Sequence, residues 1–205
     1  MPKTKEVEFN IKNVKFAVKQ SNGTYGAIAD LAYAEAINLE STYSSEPVYG
    51  DGEILCEITS DKGLTGSLTI IQNSDDYEIA MNRKMLVDGG AVADITQRDS
   101  VEHAIYFETH QLLDGITKTK KVWLLNVTSG KPSETHTQSK DNVTLNNLEI
   151  PLTILGEKMK TNNGLAVYVD ANGNDLKVTK LSVKPGDAAY ATFGDTVPTP
   201  KMALN

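Results

Sequence analysis

Val7-Glu8-Phe9-Asn10-Ile11-Lys12-Asn13-Val14-Lys15-Phe16-Ala17-Val18 alternates apolar and polar side chains, slips by one residue at Asn13, and resumes in the other phase. Period two is the mark of a strand with one buried face. One extra residue turns every later side chain over, so a bulge or bend is expected at Asn13, as where a sheet curls or changes partner.

The alternation recurs along the chain, which reads as mainly β. Asn22-Gly23 supplies a turn. The Ala-rich stretch Ala27 to Ala36 reads as helical, and Glu40 to Gly52, rich in Ser and Tyr with Pro47 inside it, as a long loop or extended arm. Loops of that length are usually functional. Ile54, Cys56 and Ile58 mark a strand, Asp61-Lys62-Gly63 a turn, and Leu68 with Ile70 the returning strand of a hairpin. One helix is expected: Asp75 and Glu78 fit a capping box. Tyr77, Met81 and Met85 then form a stripe on one face, and Asp88-Gly89-Gly90 stops the helix, which would cover an open end of the sheet.

Ile105 and Phe107 begin the next strand, and Asp114-Gly115 turns it into the least polar one, Val122 to Val127, which holds Trp123. A polar loop runs from Ser129 to Asn142, and alternation resumes from Val143 to Leu155 with a slip at Asn146-Asn147. Pro151 cannot donate to a ladder and argues for an edge or a bulge there. Leu165, Val167 and Val169 face Leu176 and Val178 across Asn172-Gly173 as a hairpin, whose second strand Leu181 and Val183 extend. From Asp187 to Asn205 the chain reads as an arm, mobile or docked. The expected division is a core over 1–160 and a C-terminal hairpin and arm over 161–205 packed on it.

The 205 residues carry a net charge of -7. Tight DNA binding needs a basic footprint, and Lys118, Lys120 and Lys121 read only as a solvated flank. Cys56, the single cysteine, excludes an internal disulfide and sits in an alternation that suggests a buried, inert thiol. The polar start suggests no signal peptide, no apolar run suits a bilayer, and the chain reads as made in a cytosol, so the triplets at Asn22, Asn126 and Asn142 read as chance glycosylation matches. His103 and His110 are seven apart, hence on opposite strand faces, and with His136 they form no zinc spacing. Asp170, Asn172 and Asn174 imitate a calcium loop, but Asp175 stands where Gly is needed and Leu181 where Glu is needed. No catalytic residue, metal or cofactor is expected, and the chain reads as a non-enzyme.

Asn13-Val14-Lys15-Phe16-Ala17-Val18, Thr24-Tyr25-Gly26, Val48-Tyr49-Gly50-Asp51-Gly52 and Gly66-Ser67-Leu68-Thr69-Ile70 follow one another in order. Asp88-Gly89-Gly90, the block Lys121-Val122-Trp123-Leu124-Leu125-Asn126-Val127-Thr128-Ser129-Gly130-Lys131-Pro132-Ser133 and Leu148-Glu149-Ile150-Pro151-Leu152 come after them. This ordered set, over roughly residues 7 to 156, resembles the major tail proteins of siphophages that infect Gram-positive bacteria. The resemblance implies a tail-tube-type β-sandwich or barrel with a flanking helix, in a virion tail assembled in the host cytoplasm. It also implies hexameric rings stacked around a lumen that conducts DNA without binding it specifically. Tape measure, tail terminator and baseplate proteins would be partners.

Sheet edges left open by one subunit can be satisfied by identical neighbours. Tyr43, Pro47, Tyr49 and Asp51 are the expected subunit or ring contacts, since paired tyrosines in a polar loop suggest anchors. Glu53, Glu57 and Asp61 are expected to face the lumen, where carboxylates would not hold phosphates. The competing reading is a β-sandwich binding module: a phage adhesin, a carbohydrate-binding domain, or a baseplate or terminator ring.

Overall fold

The computed structural model describes residues 6–31, 33–96, 99–113, 115–134, 147–161, 163–164, 166–170 and 173–202. The chain is mainly β, built on one large antiparallel sheet, with a single short α-helix among the described residues. Its strands are β1 (Glu6–Lys19), β2 (Tyr25–Asp30), β3 (Ala34–Gly50), β4 (Glu53–Ile70), β5 (Lys84–Leu86), β6 (Val92–Asp94), β7 (His103–Leu113), β8 (Ile116–Ser129), β9 (Leu148–Ile154), β10 (Glu157–Lys158), β11 (Lys177–Val178) and β12 (Lys180–Val183). The sheet runs β2-β1-β7-β8-β9-β4-β3, with β12 added on β8.

The bulge at Asn13 is present: its φ is 52°, and the β1–β7 register shifts between Lys12 and Lys15. The extra residue is absorbed there, so Ile11, Val14, Phe16 and Val18 all reach the same core. A second bulge at Asn10, φ 58°, turns Phe9 the other way, where it stacks on His110. Asn tolerates this left-handed conformation better than other non-glycine residues.

The inner face of the rolled sheet encloses Val14, Phe16, Leu68, Ile105, Leu124 and Ile150. Its two terminal strands, β2 and β3, are consecutive in sequence; buried Leu31 joins them, its N–H bonded to the Val14 carbonyl at 3.0 Å. On the outer face of β7 and β8, Tyr106, Trp123 and Leu125 form a second core closed by Phe193, with Leu181 and Val183 against it. The apolarity of β8 on both faces follows from this double cover. β8 divides its second edge between β12, at residues 121–124, and β9, at residues 127–129, with Asn126 (φ 51°) between them.

Several expectations are corrected. The stretch expected to be helical, Ala27 to Ala36, instead places residues 27–30 in β2 and 34–36 in β3, with Ala32 outside the described residues, since neighbouring strands supply partners that override a weak helical preference. Asp61-Lys62-Gly63 is no turn: β4 runs through it, with Gly63 at φ 94° in a bulge. Helix α1 spans only Asp75–Ala80, capped by Ser74, which accepts from Tyr77 N, rather than by Asp75. Met81 ends it, Met85 lies exposed in β5, and Asp88-Gly89-Gly90 turns β5 into β6 instead of stopping the helix. Pro151 is not on an edge: β9 lies between β4 and β8. Pro151 sits just past the last residue pair of the β8 ladder, and its carbonyl accepts from Gly130 N at 3.0 Å. Leu181 and Val183 do not extend the hairpin strand but leave it for β8.

The reversal around Gly173 is present, yet its ladder is reduced to the isolated bridge Val169↔Asp175; Leu165 and Asn172 lie outside the described residues. The turn between β7 and β8 holds at Gly115, φ 83°, with Asp114 outside the described residues. Lys120 and Lys121 are not a solvated flank: Lys120 pairs with Glu8 at 2.6 Å, and Lys121 bonds the Tyr190 carbonyl at 2.8 Å. No helix among the described residues is long and apolar enough to cross a membrane.

Candidate assembly interface

β3 and β4 pair from Ala34↔Ile70 out to Gly50↔Glu53. The neighbouring strand β9 follows β4 only as far as Leu64↔Ile154. Beyond that point residues 43–61 form a two-stranded ribbon with no further strand beside it among the described residues, reversed at Asp51-Gly52, where φ is 51° and 85°. At about 3.3 Å per residue the ribbon projects about 25 Å from the core. The expected long loop at Glu40 to Gly52 is therefore regular strand, and the arm reading describes its geometry. Pro47 is tolerated because β3 is an edge strand.

Gly63 marks where the ribbon leaves the core. A Cβ built on it would lie 2.2 Å from the Ile154 carbonyl oxygen, so the end of β9 can pass only a glycine. Its φ of 94° adds a second reason.

The four expected contact residues and the three expected lumenal residues all lie on this ribbon. Tyr43 is 71% exposed, Tyr49 66%, Ile54 62% and Leu55 69%. Asp51, Glu53, Glu57 and Asp61 are exposed as well. Pro47 is the direct cross-strand partner of Glu57, and Tyr43 of Asp61, so these two contact candidates share a face with two of the lumenal ones. Val48↔Cys56 occupies the other face, and Tyr49↔Ile54, past the extra residue Leu55 in β4, returns to the face of Tyr43 and Pro47. Cys56 is exposed, not buried as expected, because its strand has no cover here. From Tyr43 to Asp61 there are five carboxylates and no Lys or Arg.

Away from the ribbon, one polar cluster is internal. Arg83 and Glu78, both about 1% exposed, pair at 2.8 Å. Burial pushes the Glu78 carboxyl up, and the guanidinium only partly offsets it. Arg83 also donates to Ser129 Oγ at 3.2 Å. Tyr77 Oη lies 2.9 Å from Ser129 Oγ and 3.0 Å from His103 Nε2. His103 Nδ1 faces the Val101 carbonyl at 3.1 Å. Nδ1 donates to that carbonyl, which leaves Nε2 as an acceptor, and the Tyr77 hydroxyl proton lies between Nε2 and Ser129 Oγ, which accepts from it. Burial lowers the His103 pKa to about 4 and raises that of Tyr77 to about 12. Each of these side chains is bonded to another and buried: the cluster bolts α1 to β7 and β8.

His103 and His110 do lie on opposite faces of β7, one in this cluster and one against Phe9; His136 lies outside the described residues. Among the described residues no group of His, Cys, Asp and Glu could hold a metal ion. Asp170 accepts from Asn174 N at 2.9 Å, a turn contact in place of a calcium ligand. No family model matches the sequence, and no curated protein matches it.

Proposed function

We propose that the chain is the tube subunit of a long bacteriophage tail, a non-enzymatic structural protein whose copies form rings, hexameric by the family pattern, stacked around a DNA passage. The observation that carries this reading is the ribbon of residues 43–61. A two-stranded hairpin is marginal in water by itself, and this one holds out Tyr43, Tyr49, Ile54 and Leu55 to solvent. Exposed apolar strands at a sheet edge are avoided unless another chain covers them. The ordered motifs that resemble siphophage major tail proteins supply the kind of assembly.

The ribbon as a whole is the contact element, its carboxylates included. Tyr43 and Pro47 share a face with Asp61 and Glu57, so on this reading the contact anchors and the carboxylates proposed for the lumen lie side by side on the ribbon, with Glu53 next to its tip. Tape measure, terminator and baseplate proteins are the further partners, and the virion tail is the location. The adhesin alternative would use exposed Trp or Tyr platforms: Trp123 is fully buried, and the exposed Tyr43 and Tyr49 stand on the ribbon, where the tube reading uses them as contact anchors.

The test is a variant in which residues 44–60 are replaced by a two-residue turn. It should unfold thermally like the wild-type monomer yet show no rings or tubes by negative-stain microscopy. Tubes of normal length from this variant, or a wild-type protein that stays monomeric at high concentration, would overturn the reading.

A further inference from the structure

Five carboxylates on a ribbon without one cation set a requirement. Pressed against a neighbour they lose water, and a carboxylate buried without a countercharge is strongly disfavoured. The receiving surface must therefore be basic, in a chain whose net charge is -7. The chain is uneven in this respect: residues 157–205 carry six lysines against five carboxylates, so the acidic excess lies wholly before them.

Four lysines line one cleft of about 750 Å³ between β2 and the segment 195–200: Lys19, Lys158, Lys160 and Lys177, against only Glu157 and Asp195. Lys19 is held internally by Glu102 at 2.9 Å and Glu157 at 2.6 Å, and Lys158 by Asp175 at 2.5 Å. Lys160 and Lys177 have no carboxylate partner among the described residues. Lys201 stands next to Lys160 through a parallel bridge. The apolar part of the walls is exposed Ala27 with the half-buried Ile28, Val197 and Pro198. The floor borders the free edge of β2, which among the described residues pairs with β1 alone.

From this complementarity of charge and surface we infer that the cleft between β2 and residues 195–200 receives the ribbon tip of a second copy of the chain. Asp51 and Glu53 meet Lys160 and Lys177, and Tyr49 and Ile54 lie on the apolar walls. The inference rests on the tube-subunit reading and deepens it, turning an arm without a receptor into a head-to-tail contact. Such a heterologous contact propagates from copy to copy.

Two experiments test it on the full chain. In the first, Lys160→Cys is assembled and treated with a short bismaleimide, with the natural Cys56 on the ribbon as the second anchor. A ladder of linked chains is expected, absent from Lys160→Cys/Cys56→Ser and from the control Lys131→Cys. In the second, Lys160→Glu/Lys177→Glu should raise the concentration needed for assembly at least tenfold, and Asp51→Lys/Glu53→Lys in the same chain should restore it. Tubes that form normally without a ladder, or a charge swap without rescue, overturn the docking site and leave the tube reading standing. A wild-type chain that forms no assembly removes both. Binding of a short DNA duplex that is lost in Lys160→Glu/Lys177→Glu, with assembly unchanged, overturns the docking site in favour of a phosphate site.

Discussion

The indole N–H of Trp123 donates to the backbone carbonyl of Phe193, 2.7 Å away, and joins the middle of the sheet to a segment seventy residues later. Tyr190 adds a bond from its hydroxyl to the Thr119 carbonyl at 3.0 Å, and Lys121 lies 4.6 Å from the centre of the Tyr190 ring. The last part of the chain is thus a cover for the outer face of β8. Phe193→Ala should cost about 3 kcal/mol by opening a cavity over Trp123. Because Trp123 is the only tryptophan, fluorescence reports the site directly: its emission should move to the red in a variant lacking residues 185–205.

His103 is neutral in the fold because burial holds its pKa near 4, whereas an unfolded histidine titrates near its usual value of 6.5. Between these values the unfolded chain binds a proton that the folded chain refuses. Stability is therefore complete above about pH 6.5 and falls as pH drops toward 4, by about 3 kcal/mol from this residue. Urea unfolding at pH 7 and pH 4.5 measures it. In His103→Gln that part of the slope should vanish.

Glu78 and Arg83 are each buried and bonded to the other at 2.8 Å. Glu78→Ala leaves a buried guanidinium with no countercharge, at a cost of about 3–5 kcal/mol. Glu78→Leu/Arg83→Met removes both charges and should recover more than half of that loss in chemical denaturation.

Gly63→Ala meets two obstacles together, the φ of 94° and the Ile154 carbonyl at 2.2 Å from the new Cβ. We expect a loss of more than about 2 kcal/mol, from strain plus displacement of β9. Gly52→Ala at the ribbon tip has a similar φ of 85° but open space around it, and should cost only about 1 kcal/mol. Thermal melts of the two variants compare the base of the ribbon with its tip.

The strands are legible in the sequence wherever one face is buried and the other wet, as from Val14 to Val18, and where both faces are apolar, as in the pairs Val122/Leu124 and Trp123/Leu125. Asn13 is legible too, because a phase slip inside a strong alternation needs one extra residue in the strand. The helix reads too long because Met85 continues the spacing of Tyr77 and Met81; only the pairing of Lys84–Leu86 with Val92–Asp94 shows that the backbone has already turned. The contact and lumenal candidates stand out as residues but not as one surface. The face that Tyr43 and Pro47 share with Glu57 and Asp61 depends on the register Pro47↔Glu57 and Tyr43↔Asp61.

By itself the sequence determined the β class, several of the turns, the bulge at Asn13 and the concentration of acidic and tyrosine residues between Tyr43 and Asp61, because these depend on side-chain order along a strand. The tertiary structure alone decided that β4 continues past Gly63, that residues 43–61 stand clear of the core, and that Lys160 and Lys177 border the free edge of β2. Those features depend on which distant backbone satisfies which hydrogen bonds. Alternation shows that a strand has two faces, but not what covers either one.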